Sequence, residues 1–128
     1  MKKAILILTI ASLTSCNNQT ESNATKNEKA GLVEVTSFKL KSGVSNNDFV
    51  KSAEKMQTEF LIKRTGFIGR TLSLGKDSVW TDIVFWKDEA SQISTMQKSE
   101  KAETAVPFME KIDFNSVKMV LSKPKLSN

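Results

Sequence analysis

The spacing of apolar and polar residues divides the chain beyond residue 30 into a short series of elements. "GLVEVTSFKLKSG" (31–43) is rich in β-branched and aromatic residues and closes on Gly43, which predicts a strand. From residue 44 to 66 the period lengthens to that of a helix. Phe49, Val50, Ala53, Met56, Phe60 and Leu61 form one apolar stripe, Ser45 and Asp48 supply an N-terminal cap, and Gly66 supplies the stop. Lys63 and Arg64 fall in the last turn, where positive charge suits the helix dipole.

Residues 67–74 and 79–86 predict a hairpin around "GKDS". With Leu74 opposite Val79, Arg70 falls opposite Ile83 and Thr71 opposite Asp82. Arg70 and Asp82 then point to different faces, which makes Glu34 the better ion-pair partner for Arg70. Asp88 can cap a second helix running through Ala90, Ile93 and Met96. "EKAETAVPFMEKI" predicts a short helical piece interrupted by Pro107, "FNSVKMVLS" is the last strand, and Pro124 ends regular structure. The order β-α-β-β-α-β predicts an α+β, ferredoxin-like antiparallel sheet with both helices on one face.

"VWTDIVFW" (79–86) then poses a problem of cover. One side of this strand carries Val79, Thr81, Ile83 and Phe85, and the other Trp80, Asp82, Val84 and Trp86. A sheet covered on one side alternates apolar with polar, and this strand is apolar on both. Burying each large apolar side chain is worth roughly 1.5–3 kcal/mol, so an uncovered second face would be costly. A second copy of the same sheet is the economical cover, and the expectation is a homodimer.

The first residues predict the compartment. A basic "MKK", the apolar run "AILILTIASL" and then Leu13-Thr14-Ser15-Cys16 have the form of a bacterial lipoprotein signal. The run falls short of the roughly 20 apolar residues that a membrane-spanning helix needs. The expected organisation is a signal peptide over 1–15, a lipidated Cys16 with a flexible polar tether over 16–30, one domain over 31–124, and a tail over 125–128. The anchor is thus a lipid in a bacterial envelope membrane. Asn17, rather than Asp, after the acylated position favours the periplasmic face of the outer membrane in a Gram-negative cell.

Composition narrows the chemistry. Cys16 is the single cysteine, which excludes an intramolecular disulfide. The net charge of +5 includes Lys2 and Lys3, so the mature chain carries 17 basic and 14 acidic residues, a net +3. Basic and acidic residues are interleaved, which argues against nucleic acid as a partner. There is no histidine and no tyrosine. No carboxylate cluster has metal-ligand spacing and no glycine-rich loop fits a phosphate, so neither a metal nor a cofactor is expected.

"VEVTSFKLKSGVSNNDF", "TGFIGRTLS" and "WTDIVFWKDEAS", in this order and spacing, resemble the antibiotic biosynthesis monooxygenase-like domains of the dimeric α+β barrel superfamily. The resemblance covers residues 31–122. It implies two sheets closing into a barrel between subunits, with a small-molecule pocket between sheet and helices in each. It also implies Thr36 and Thr95 near the positions where the haem-degrading branch carries its Asn and Trp. With the family's His and Tyr missing, the chain departs from the known active sites.

The remaining candidates are Arg70, Glu34 and Asp82 for catalysis, and Thr36, Phe60, Arg70, Trp80, Trp86, Met96 and Phe108 for the pocket. Two functions follow. One is a tethered domain that binds a small apolar or aromatic molecule. The other is a cofactor-independent monooxygenase acting on an aromatic or quinol-type substrate, with a raised carboxylate or water as base. A buried carboxylate in an open cavity beside Arg70 would favour the enzyme, and an apolar lining would favour binding. A cavity plugged by Phe60, Met96 and Phe108 would favour a purely structural module.

Overall fold

The computed structural model describes residues 28–126. The signal over 1–15, Cys16 and most of the tether lie outside the described residues. Four strands and three helices follow in chain order: β1 (Leu32–Leu40), α1 (Asn46–Glu59), β2 (Phe67–Leu74), β3 (Trp80–Trp86), α2 (Glu89–Ser99), α3 (Val106–Met109) and β4 (Ile112–Ser122). The sheet runs β2-β3-β1-β4 with every pairing antiparallel, the ferredoxin-like order that the sequence pattern predicts.

The local signals explain where the helices begin and end. Ser45 Oγ accepts from the Asp48 N–H at 3.1 Å and donates to the Asp48 carboxylate at 2.9 Å, so both groups at the start of α1 are satisfied. α1 stops at Glu59 and tightens into a 3-10 turn over Leu61–Lys63, earlier than the predicted run to Gly66. Gly66 follows at φ +76°, where a Cβ would also run into the Ser91 side chain. Asp88 caps α2 through the Ser91 N–H and hydroxyl, which hold its carboxyl below the usual carboxylate range. Pro107 sits in the first turn of α3, where its missing N–H is no loss, so it starts that helix instead of interrupting it.

The hairpin register corrects the sequence expectation. Gly75 and Val79 close the hairpin, the Gly75 N–H donating to the Val79 carbonyl at 2.8 Å. The loop is therefore the three residues 76–78, with Ser78 in the left-handed region at φ 64°. Leu74 pairs with Trp80, Leu72 with Asp82, and Arg70 with Val84. A one-residue slip in register exchanges the faces of a strand. Arg70 and Asp82 thus share a face and bind each other, and Glu34 is not the partner of Arg70.

The core lies between that face and the helices. All four residues Trp80, Asp82, Val84 and Trp86 are buried, whereas Thr81, Ile83 and Phe85 are half-buried. Phe49 of α1 is the hub: its ring stands 5.6 Å from Phe38, 4.8 Å from Trp80 and 5.0 Å from Phe108. This cluster joins β1, β3, α1 and α3. It leaves open the part of the sheet near β4, which α2 covers only partly.

Candidate functional site

A cavity of about 200 Å³ opens in that incompletely covered region. Its floor is the helix-facing side of the sheet, with Glu34, Thr36 and Phe38 from β1 and Asp82, Val84 and Trp86 from β3. Thr95, Met96 and Ser99 of α2 and Phe108 and Met109 of α3 form the roof. Ile112, Phe114, Val117 and Met119 of β4 form the remaining wall. An apolar cavity of about 150 Å³ is enough for benzene, so this one has room for a small aromatic molecule.

Glu34 is the polar centre. Trp86 Nε1 donates to its Oε2 at 3.2 Å and Gln92 Nε2 donates to the same oxygen at 2.9 Å. Burial pushes the Glu34 carboxyl above the usual carboxylate range. The two donors pull it down, while the neighbouring negative charge of Asp82 adds to the rise. Two residues along the same face, the Thr36 hydroxyl is buried and makes no hydrogen bond of normal geometry, although it lies near enough to favour the ionised carboxylate slightly.

Arg70 and Asp82 form the second polar feature. The Arg70 side chain is 1 % exposed, and its Nε and Nη2 donate to the two Asp82 oxygens at 2.8 and 2.6 Å. Its Nη1 reaches the Ala53 carbonyl of α1 at 3.3 Å, and its guanidinium lies over the Phe108 ring, 4.9 Å from the centroid. Each of the three guanidinium nitrogens thus has a partner, and only Asp82 of the pair touches the cavity.

The sequence candidates therefore separate. Glu34, Asp82, Thr36, Trp86, Met96 and Phe108 line the cavity. Phe60 and Trp80 are buried in the core away from it, with Phe60 beneath the Arg64 guanidinium. Arg70 and Trp80 instead border a separate depression between α1 and β2. Phe60 does not plug the cavity, and Met96 and Phe108 stand in its wall.

Helix α2 differs most from expectation. Its buried residues are Gln92 and Thr95, while Ala90 and Ile93 are exposed and Met96 is 45 % exposed at the cavity mouth. A polar side chain that is 2 % exposed needs a partner, and Gln92 finds it in Glu34. Gln92 was not among the sequence candidates. The signal that could have revealed it is the polar series Gln92, Thr95 and Ser99 at helical spacing. Among the described residues no group of three His, Cys, Asp or Glu is placed to hold a metal, and no helix is long and apolar enough to cross a membrane.

No family model and no curated protein matches the sequence. Solved structures do match. SnoaB from Streptomyces nogalater, a cofactor-independent oxygenase, superposes with a TM-score of 0.61 at 14% identity, covering 75% of this chain and 94% of that one. A monooxygenase from the ActVA-Orf6 gene of Streptomyces coelicolor, in complex with nanaomycin D, gives 0.56 at 17%, with 77% and 91% covered. A proposed antibiotic biosynthesis monooxygenase from Bordetella bronchiseptica gives 0.63 at 15%, with 77% and 100% covered. The fold is that of the antibiotic biosynthesis monooxygenases. What is shared at these identities is the course of the chain, and the chemistry has to come from this chain's own cavity.

Proposed function

We propose that this chain is a lipid-tethered envelope domain that binds a small apolar or aromatic molecule in the Glu34 cavity and works as a homodimer. The observation that carries the reading is the cavity itself: apolar walls around the Glu34 carboxylate, which two buried donors hold in place. The Streptomyces coelicolor monooxygenase of the same fold accommodates nanaomycin D, which supports a ligand-holding role for such a cavity. The lipid anchor rests on the Leu13–Cys16 motif. Native mass spectrometry of the chain purified from its own host tests the ligand, and a copurifying small molecule displaced by Met119→Trp is the expected result. Intact-mass measurement tests the anchor, with acyl chains on Cys16 that Cys16→Ser removes together with membrane attachment.

A second reading is favoured by one observation, the raised Glu34 carboxyl at an open cavity. Such a group can take the hydroxyl proton of a phenol. The resulting carbanion adds molecular oxygen, one oxygen atom stays in the quinone product and the other leaves as water. Oxygen uptake with naphthol and naphthalenediol substrates, lost in Glu34→Gln, is the expected outcome. Uptake no faster than the buffer blank removes this reading.

A further inference from the structure

The polar atoms of the cavity are unbalanced in a way that selects its ligand. Two carboxylates line it, those of Glu34 and Asp82, and no Lys or Arg does. Arg70 neutralises Asp82 with both of its forked donors and is itself shielded from the cavity. Glu34 has no such partner. Gln92 and Trp86 are neutral donors, both on Oε2, and among the described residues nothing donates to Oε1. The Thr36 hydroxyl is free to accept as well, since it is buried without a partner. The Ser99 hydroxyl is already spent on the Met96 carbonyl at 2.7 Å. An entering ligand thus meets one uncompensated negative charge and the Thr36 and Thr95 hydroxyls, which can accept as well as donate, inside walls of aromatic rings and thioethers.

An anionic ligand would lose its water and gain no counterion there, which costs far more than it returns. A neutral hydroxyl could donate one bond and would leave the carboxylate charge uncompensated. A protonated amine supplies both the charge and several donors, and Trp86 and Phe38 add aromatic surface on which cations and apolar bodies sit well. We propose that the cavity receives a small primary amine on an aromatic or alkyl body, its ammonium group seated between Glu34 Oε1 and Thr36 Oγ1. The inference rests on the binding reading above and specifies the head group of the ligand. It also accounts for two oxygens on β1, Glu34 Oε1 and Thr36 Oγ1, that accept no hydrogen bond from the described residues of the fold.

The test compares four molecules of matched shape: 2-phenylethylamine, 2-phenylethanol, 3-phenylpropionate and ethylbenzene. They are titrated into the mature chain, residues 16–128, kept unlipidated by Cys16→Ser, with Trp fluorescence and calorimetry as readouts. The amine should bind about tenfold or more tightly than the alcohol and ethylbenzene, as a charge-assisted bond does against a neutral one, and the propionate should bind weakest. Glu34→Gln, which keeps an acceptor for Trp86 and Gln92, should bring the amine down to the level of ethylbenzene without weakening ethylbenzene itself. Equal binding of amine and ethylbenzene, or an alcohol that binds best, overturns the amine assignment while leaving an aromatic-binding cavity. If none of the four binds, the binding reading falls and this inference with it. The comparison within the unsubstituted chain decides the matter even if Glu34→Gln does not fold.

Discussion

Arg70 and Asp82 face each other across the β2–β3 hairpin as a doubly hydrogen-bonded pair, with distances of 2.8 and 2.6 Å and the arginine almost wholly out of solvent. Through the Ala53 carbonyl and the Phe108 ring the same guanidinium also fastens α1 and α3 to the sheet. The pair is a structural clamp whose acidic end forms part of the cavity floor. Arg70→Met should destabilise the domain by about 3–5 kcal/mol, because it strands the Asp82 carboxylate. Arg70→Met combined with Asp82→Leu should recover most of that loss. Urea unfolding of the three proteins checks it, and a loss below about 1 kcal/mol for Arg70→Met would show that the clamp is dispensable.

Glu34 gives a stability profile of the opposite sign to most carboxylates. Its folded-state carboxyl is held above its ordinary value of 4.5, mainly by burial, so the folded state binds the proton more tightly than the unfolded state does. That contribution is fully present below the unfolded value and is lost as pH rises through the raised folded value. Relative to Glu34→Gln, the parent chain should therefore lose stability as pH rises from about 4.5 through the raised folded value. Thermal unfolding of both proteins across that range measures the difference, and parallel curves would mean that the carboxyl is not perturbed.

Thr36 carries a buried hydroxyl without a partner. Removing an unsatisfied polar group while keeping its shape should stabilise the domain, here by about 1 kcal/mol for Thr36→Val. A hydroxyl that weakens the fold where it stands, on the cavity floor, is one that a ligand could engage. A stabilised Thr36→Val variant that binds 2-phenylethylamine less well would display both halves of that trade. A destabilised Thr36→Val would instead place a partner on the hydroxyl in solution.

The hairpin shows how far the sequence could be read. Both strands were legible from their composition, and the order of elements led directly to the sheet. The register was not, because "GKDS" is consistent with a four-residue loop, and only the left-handed Ser78 shortens it to three. Serine gives little warning of that conformation, for which glycine is the usual signal. The slip moved Arg70 from one face to the other and so changed its partner. Glu34 was legible as a candidate, being an acid among β-branched residues. Its donor Gln92 was not, because the periodic apolar positions of α2, Ala90, Ile93 and Met96, lie on its exposed side while its buried side is polar. A helix that covers a polar cavity need not show the period that marks a helix over a core.

Ser78→Gly follows from the same geometry. A non-glycine residue at φ 64° pays a steric penalty that glycine avoids, and part of the gain is offset by the freer unfolded chain. The substitution should raise stability by a few tenths to about 1 kcal/mol, with the Leu74–Trp80 register unchanged in cross-strand nuclear Overhauser effects. A loss of stability would argue that the loop prefers the four-residue form, and the Arg70–Asp82 pairing would then need to be revisited.

The outer face of the sheet carries the last prediction. Val33 pairs with Phe85, Val35 with Ile83, and Val35 again with Val120 on the other side, so five apolar residues share the surface away from the helices. None of the five is fully buried, and Val120 is 62 % exposed. Helices α1 and α2 cannot reach this side, because they lie over Trp80, Val84 and Trp86. Strand β3 therefore remains apolar on a face that a single chain leaves in water, and the cost of that exposure is the reason to expect a homodimer. Sedimentation of residues 16–128 carrying Cys16→Ser at micromolar concentration should give the mass of two chains. Ile83→Lys should give one chain with an unchanged circular dichroism spectrum, since the side chain at 83 points away from the core. A parent chain that sediments as a monomer would remove the dimer and leave the cavity, which lies on the opposite face, untouched.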